Sequence, residues 1–168
     1  MTIYWARLEN RAVLKVTGAE CEDFLQNLVT QDVTRAQPQA AALLTPQGKL
    51  AFDFILQPVE DGFLIDCAAD SAEAFVKRLN LYKLRRDVEI AVTELPVLVV
   101  WSDPTDTQEP KIDSFFEDPR SARLGLRCLG PSPADLSEYT ASSAQIWAKL
   151  RLSLGVPEGP TEMPPGTI

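Results

Sequence analysis

Asp53 is the residue of this chain best placed to do chemistry, because it interrupts an otherwise apolar run, LAFDFIL at positions 50–56. The run predicts a β-strand in which Asp53 shares one face with Ala51, Ile55 and Gln57. A carboxylate on such a strand faces either water or a satisfied buried partner, because an unpaired buried charge is costly. Asp53 is therefore a candidate ligand-binding residue if its face lines a cavity.

A polar triplet, Thr30-Gln31-Asp32, directly follows an apolar helical stripe. The triplet forms either the turn that ends the helix or a rim of hydrogen-bonding groups. Under the second interpretation, Thr30 and Asp32 are further candidates for ligand binding.

Histidine is absent from the chain, and its three cysteines, Cys21, Cys67 and Cys128, are widely separated. This excludes a histidine base, a Ser-His-Asp triad and a histidine metal site within the segment. Dispersed cysteines in odd number indicate free thiols in a reducing compartment. Cys67 ends a predicted strand and could face a cavity, whereas buried packing is the ordinary role of such residues.

Charge and hydropathy restrict the partners. The net charge of −8 argues against direct nucleic-acid binding, which needs clustered cations. Only Lys83, Arg85 and Arg86 form a short basic run, interpreted as a solvated helix end or a local patch. No apolar run reaches the roughly 18 residues that cross a bilayer, so no membrane partner is expected. The N-terminus resembles neither a signal nor a transit peptide, which predicts a bacterial cytoplasmic location, or a matrix-like space after processing.

Periodicity predicts three helices and a series of short strands. The first helix follows a capping box formed by Thr17 and Glu20, the second begins at Asp70 or Ser71, and the third covers 137–154. A hairpin joins strands 3–8 and 12–16, and an acidic loop covers 102–120. The other strands are predicted at 40–45, 50–59, 63–67, 88–92, 96–101 and 123–129.

The element order from residue 11, β-α-β-β-β-α-β, predicts an α+β fold of antiparallel sheets with packed helices. It contains the ferredoxin-like split β-α-β unit, and a second, truncated unit begins near Leu95. The predicted domains are a first unit over 1–93 and the start of a second over 94–154. Residues 155–168 hold many Pro and Gly residues, which predicts a linker, without helix or strand, to a missing C-terminal part.

Three stretches, in this order and spacing, resemble the N-terminal half of the YgfZ family, which is similar to the aminomethyltransferase (T-protein) of the glycine cleavage system. A closing W-x-x-L-R-x-x-x-G-x-P phrase at 147–157 agrees with them. The stretches are FLQNLVTQDV at 24–33, LTPQGKLAFDF at 44–54 and LYKLRRDVEI at 81–90.

The resemblance implies duplicated ferredoxin-like units, the aminomethyltransferase folate-binding fold, around a cavity that takes tetrahydrofolate. Asp53 matches the strand aspartate of the relatives' GGxxDDL phrase, which lies against the folate. Asp66 and Cys67 fall where the next strand meets the pterin, and Thr30 and Asp32 complete the candidate folate-binding set. Phe52 replaces the first acid of the phrase, which favours a folate pocket over aminomethyl transfer.

The implied function is a tetrahydrofolate-binding accessory role in iron–sulfur cluster assembly or repair, with an indirect effect on tRNA modification. Its partners would be folate and iron–sulfur proteins or their assembly machinery. The family's K-G-C-[YF]-x-G-Q-[DE] phrase is missing, so its reactive cysteine is not among the three present. Two alternatives stay open: a folate-dependent, aminomethyltransferase-like one-carbon transferase, and a non-catalytic interaction module using the acidic loop 103–118.

Overall fold

The computed structural model describes residues 2–103, 110–131 and 135–167, which form ten strands and four α-helices. The strands are β1 (Ile3–Arg7), β2 (Arg11–Thr17), β3 (Gln39–Leu44), β4 (Leu50–Val59), β5 (Gly62–Ala68), β6 (Glu89–Val92), β7 (Val97–Ser102), β8 (Phe116–Glu117), β9 (Leu126–Leu129) and β10 (Thr140–Ala141). The helices are α1 (Cys21–Gln26), α2 (Ala72–Lys83), α3 (Ala144–Ser153) and α4 (Gly159–Glu162). Within these described ranges, no helix is long and apolar enough to cross a membrane.

The chain divides into two compact units, and each is discontinuous in sequence. The Asp53 unit contains residues 10–94 and the segment from Glu158 onward. The Trp147 unit contains the residues up to Glu9 together with Leu95–Pro157. This grouping differs from the predicted division into 1–93, 94–154 and 155–168. The strand β1 belongs to the unit that is formed mainly by residues 95–157, and the segment from Glu158 onward belongs to the unit that is formed mainly by residues 10–94. A further part beyond the predicted linker stays a prediction.

The Asp53 unit is built on one five-stranded sheet in the order β3-β4-β5-β2-β6, with every neighbouring pair antiparallel. Its elements follow the predicted order β-α-β-β-β-α-β, and the predicted α+β class with antiparallel sheets and packed helices is confirmed. β4 has the predicted bounds because a run of apolar residues defines it and turns at Gly48 and Gly62 reverse the chain at its ends.

The core of the Asp53 unit covers one sheet face. Leu14, Phe54 and Ile65 belong to this core, together with Phe24 from α1 and Phe75 from α2. The Phe75 ring stacks on that of Phe52, with 4.6 Å between centroids, and lies 5.1 Å from the ring of Phe54. Because side chains alternate along a strand, burying Phe54 on this face turns Asp53 toward the opposite one.

Two local predictions are wrong. The hairpin of β1 and β2 does not form, because β1 pairs with β7 and β10 while β2 pairs with β5 and β6. The Thr17–Glu20 capping box is also absent, since α1 begins only at Cys21. The Glu20 carboxylate instead accepts a hydrogen bond from the backbone N–H of Asp87 at 2.6 Å. The backbone N–H of Asp87, 67 residues away, thus takes the place of the helix N-terminal N–H that a capping box would use.

The sheet of the Trp147 unit has the order β10-β1-β7-β9-β8. Its β1–β10 pair is parallel, and the other pairs are antiparallel. The predicted helix 137–154 is shorter in the structure, because Ser143 caps α3 by accepting from the backbone N–H of Ile146 at 3.3 Å. Residues 132–134 lie outside the described residues.

A cluster of arginines surrounds the buried ring of Trp147. The guanidinium of Arg127 lies 5.1 Å from the ring centroid, and those of Arg120 and Arg151 lie 5.8 Å from it. Cation–π contacts of this kind stabilise by about 0.5–2 kcal/mol each, more when desolvated. The cluster therefore links α3 to β9 within the Trp147 unit.

Asp118 belongs to this cluster. It was predicted to lie in an acidic loop, but its side chain is buried. Its side chain is 2% exposed, and it accepts hydrogen bonds from Arg120 at 2.7 Å and Arg127 at 3.0 Å. Burial alone would raise the pKa of Asp118, but hydrogen bonds from Arg120 and the charges of both arginines lower it to about 2. The C-terminal end of the loop 102–120 is thus a buried ion-pair site, while residues 104–109 lie outside the described residues.

Acid should destabilise the Trp147 unit through Asp118. Because the folded pKa lies below the unfolded one, the carboxylate stabilises the fold above about pH 4 and loses this effect as the pH falls toward 2. We expect a loss of about 2 kcal/mol of unfolding free energy over that window. The three tryptophans, Trp5, Trp101 and Trp147, all belong to this unit, so urea unfolding followed by tryptophan fluorescence measures it selectively.

The Asp118→Asn variant should be less stable at pH 7 and should show a much flatter pH dependence between 4 and 2. Asp113→Asn, which changes an exposed aspartate of the same unit, provides the matched control and should follow the wild type. An unchanged acid dependence in Asp118→Asn would contradict this assignment.

Candidate functional site

The sheet face of the Asp53 unit that lies opposite α1 and α2 carries the predicted acidic residues Asp53 and Asp66. Register places Asp66 of β5 directly across from Ile55 of β4, two residues along from Asp53. Val13 of β2 pairs with Asp66 on the other side, so Arg11 is its diagonal neighbour. Asp53 and Asp66 therefore share one face, as alternation along the strands requires.

Arg11 and Asp66 form a buried ion pair at the centre of this face. Arg11 Nε donates to Asp66 Oδ1 at 2.6 Å, and Arg11 Nη2 donates to the Asp66 carbonyl oxygen at 2.9 Å. Their side chains are 1% and 0% exposed. Removing one member of such a pair leaves a buried charge uncompensated, so the loss of either residue is strongly destabilising. Asp66 is fully engaged by the protein.

A segment from the end of the chain, residues 158–167, covers part of this face. The Glu158 carboxylate lies 3.7 Å from Arg11 Nη1, and its side chain is 3% exposed. The segment was predicted as a linker without helix or strand, yet it contains the short helix α4. Pro160 is tolerated there because the first turn of a helix needs no intrahelical donor from that residue.

Asp53 holds this segment in place. Its Oδ2 atom accepts a hydrogen bond from the backbone N–H of Gly159 at 3.1 Å, which satisfies one of the donors at the beginning of α4. Two contacts at Gly166 add to it: its N–H donates to the Leu50 carbonyl at 2.9 Å, and its own carbonyl accepts from Lys49 Nζ at 3.0 Å. The predicted ligand-binding carboxylate thus binds the chain's own backbone.

Asp53 and Cys67 line the same small cavity, together with Ser71, Pro160 and Met163. Its volume is about 10 Å³, which is space for about one water molecule. Burial raises the pKa of the Cys67 thiol to about 12. The thiol is therefore protonated at neutral pH and is a poor nucleophile.

Thr30 and Asp32 lie in the exposed loop between α1 and β3 and do not meet the other candidates. Thr30 Oγ1 accepts from the backbone N–H of Ala42 at 2.9 Å, which extends the edge of the sheet. Asp32 Oδ1 accepts from the Thr34 hydroxyl at 2.6 Å and from its N–H at 3.1 Å. The hydrogen bond from the Thr34 side chain lowers the pKa of Asp32. Both residues act here as turn-forming groups.

Sequence reasoning missed the basic and C-terminal residues of this face. Arg11 follows a predicted turn and gave no apolar or motif signal, and Glu158 lay inside the predicted linker. Lys49 lies within the stretch LTPQGKLAFDF but was given no role. The sequence indicated these residues only indirectly, because the strand carboxylates Asp53 and Asp66 each required hydrogen-bond donors from elsewhere in the chain.

A larger cleft of about 460 Å³ lies elsewhere on the Asp53 unit. Its walls come from separate stretches, which include Gly18, Glu22, residues 33–36 and residues 58–63. Cys21 lines it as well, and burial raises the pKa of that thiol. The volume falls in the range of small-molecule sites, but sequence analysis did not single it out because its walls are far apart in the chain.

No group of three His, Cys, Asp or Glu residues that could hold a metal ion occurs within the described ranges. The three cysteines are free, buried and distributed over both units. A cluster or metal ion therefore has no ligand set within that part of the chain.

Comparison with known proteins gives curated relatives, while no family model matches the chain. The chain is 30% identical over 190 residues to the mitochondrial iron–sulfur cluster assembly factor IBA57 of Mus musculus, covering 95% of this chain and 52% of the relative. The human protein of the same name is 30% identical over 193 residues, covering 96% and 54%. The homologue of Aspergillus oryzae is 26% identical, covering 90% and 42%. The chain thus spans about half the length of the curated relatives it matches.

One solved structure supports the fold. The glycine cleavage system aminomethyltransferase T from Bartonella henselae superposes with a TM-score of 0.54 and 18% identity, covering 59% of this chain and 28% of that protein. The predicted aminomethyltransferase-like fold is therefore confirmed, and similarity to YgfZ itself stays a prediction. At this identity the likeness concerns the fold alone.

The predicted bacterial cytoplasmic location is wrong, because the relatives are mitochondrial proteins by name. The prediction depended on free cysteines and on an N-terminus without targeting features. Reducing conditions occur in more than one compartment, so these features could not distinguish between them.

The Arg11–Asp66 pair should dominate the stability of the Asp53 unit. We expect Asp66→Asn to lower its unfolding free energy by about 3 kcal/mol, because the buried Arg11 loses the nearer of its two counter-charges and keeps only Glu158 at 3.7 Å. Asp61→Asn is the matched control: it removes an ion pair with Lys15 whose side chains are 60% and 41% exposed. The control should cost less than about 1 kcal/mol. Hydrogen exchange of β2 and β5 amides measures both, and equal effects would contradict the assignment.

Proposed function

We propose that this chain functions in iron–sulfur cluster assembly. The observation that carries the proposal is the similarity of 90–96% of its length to assembly factors named for that process. The absence of a metal ligand set within the described residues favours an accessory role over that of a cluster scaffold. The cluster would be cargo of a partner protein.

Tetrahydrofolate is the ligand that the fold and the position of Asp53 suggest, but the face does not fit it as it stands. The cavity beside Asp53 has a volume of about 10 Å³, and the Asp53 carboxylate already accepts a hydrogen bond from the N–H of Gly159 in α4. Folate could reach Asp53 only after residues 158–167 leave the face. We therefore propose folate binding at this face in an open state alone.

The one-carbon transferase alternative receives no support from these contacts. Phe52, in the place of the first acid of the relatives' phrase, stacks on Phe75 in the core. The Cys67 thiol is protonated at neutral pH, and Asp53 is engaged by Gly159. Cys67 thus lacks the ionisation that a nucleophile needs, and the Asp53 carboxylate already accepts a hydrogen bond from the protein.

A chimera tests the assembly function. Residues 2–167 would replace the matching half of the human relative, in human cells depleted of that protein. We expect the chimera to restore most of the activity of iron–sulfur enzymes, because the matched region covers nearly all of this chain. The human protein lacking the matched half serves as the control. A chimera that accumulates to normal levels and restores nothing would contradict the function.

Calorimetric titration with 5-formyltetrahydrofolate tests the ligand separately. Lys49→Ala with Met163→Ser should loosen residues 158–167, since it removes a hydrogen bond and a cavity contact. Because apparent affinity scales with the open fraction, the loosened chain should bind at least about tenfold more tightly than wild type. Adding Asp53→Asn should abolish that gain. Equal, weak binding by all three chains would exclude folate from this face.

A further inference from the structure

The C-terminal half of α2 and the turn that follows it concentrate positive charge. Residues 74–86 contain five of the sixteen basic residues of the chain and no acidic residue, although the net charge is −8. Arg86 uses its charge within the fold, because its Nη1 atom donates to Asp23 at 2.5 Å. The remaining four make no ion pair within the described part of the chain: Lys77, Arg78, Lys83 and Arg85.

Two leucines are exposed among these cations. Leu81 is 65% exposed and Leu84 is 85% exposed. They are not needed for the core, because α2 already buries Ala72, Phe75 and Leu79 against the sheet. Exposed leucines are ordinary when single, but here two lie three residues apart beside unpaired cations.

Leu84 is also conformationally strained. Its φ of 52° and ψ of −116° correspond to the first central position of a type II′ turn, closed by a hydrogen bond from the Arg86 N–H to the Lys83 carbonyl at 3.1 Å. Glycine dominates that position because a β-carbon is disfavoured at positive φ. A leucine there helps neither the turn nor the core, and such strain is typical of functional segments.

We propose that this surface docks an acidic segment of a partner protein, with an apolar side chain of that segment seated between the two leucines. The surface consists of Lys77, Arg78, Leu81, Lys83, Leu84 and Arg85. Charge complementarity selects the acidic partner, and paired exposed leucines select a protein. Nucleic acid would use the cations alone, and a bilayer surface requires a continuous apolar helix face, which α2 has already buried.

The test uses the full chain as bait for a phage-displayed library of random dodecapeptides. We expect enriched peptides to carry acidic residues on both sides of an apolar residue. Synthetic copies would then be titrated by fluorescence anisotropy against Leu84→Gly and against Lys83→Glu with Arg85→Glu. Each variant should weaken binding at least about tenfold, as removal of a central contact or reversal of charge does.

The controls separate docking from folding. Leu84→Gly suits the turn, so its melting temperature should equal or exceed that of wild type while its binding is weakened. Leu152→Ala, at a leucine 55% exposed on α3, and Lys111→Glu with Arg123→Glu change exposed residues elsewhere and should bind normally. The proposal is overturned if no peptide is enriched, if enriched peptides lack acidic residues, or if the two variants bind as wild type. Oligouridylate or phosphatidylserine vesicles that bind through this surface while no peptide does would overturn it as well.

Discussion

The need of strand carboxylates for hydrogen-bond donors determines how the Asp53 unit is assembled. Asp66 accepts hydrogen bonds from Arg11 on the neighbouring strand β2, and Asp53 accepts one from the N–H of Gly159 in the segment 158–167. The two contacts differ in strength. Breaking a buried ion pair costs about 3–5 kcal/mol, whereas one backbone hydrogen bond to a partly exposed group contributes about 1–3. The centre of the face is therefore fixed, and its cover is held more weakly.

Much of the Asp53 unit could be predicted from sequence because its signals are local. An apolar run between two turns defined β4 to the residue, and helical periodicity identified α2. The predicted β1–β2 hairpin does not form because closeness in sequence does not indicate which sheet each strand joins. The capping box failed because a backbone donor at Asp87 competes for Glu20 from 67 residues away.

The candidate site likewise depends on contacts between residues that are distant in sequence. Periodicity identified Asp53 as a carboxylate in need of a partner, but not whether a ligand or the protein would supply it. Its partner lies 106 residues later in a stretch rich in Pro and Gly, where no periodic pattern indicates a contact. Arg11 and Asp66 are separated by 55 residues and belong to no local motif. Resemblance placed Asp53, Asp66 and Cys67 together on neighbouring strands, while Thr30 and Asp32 are used by their own loop.

The return of residues 158–167 to the Asp53 unit has a consequence for synthesis on the ribosome. The strands that carry Arg11, Asp53 and Asp66 emerge early, but Glu158 and Gly159 follow only after the whole of the Trp147 unit has been translated. During that interval the nascent sheet shows an uncovered charged face to the cytosolic or organellar chaperones around it. The sheet that begins to form first is thus completed only after the Trp147 unit has been made.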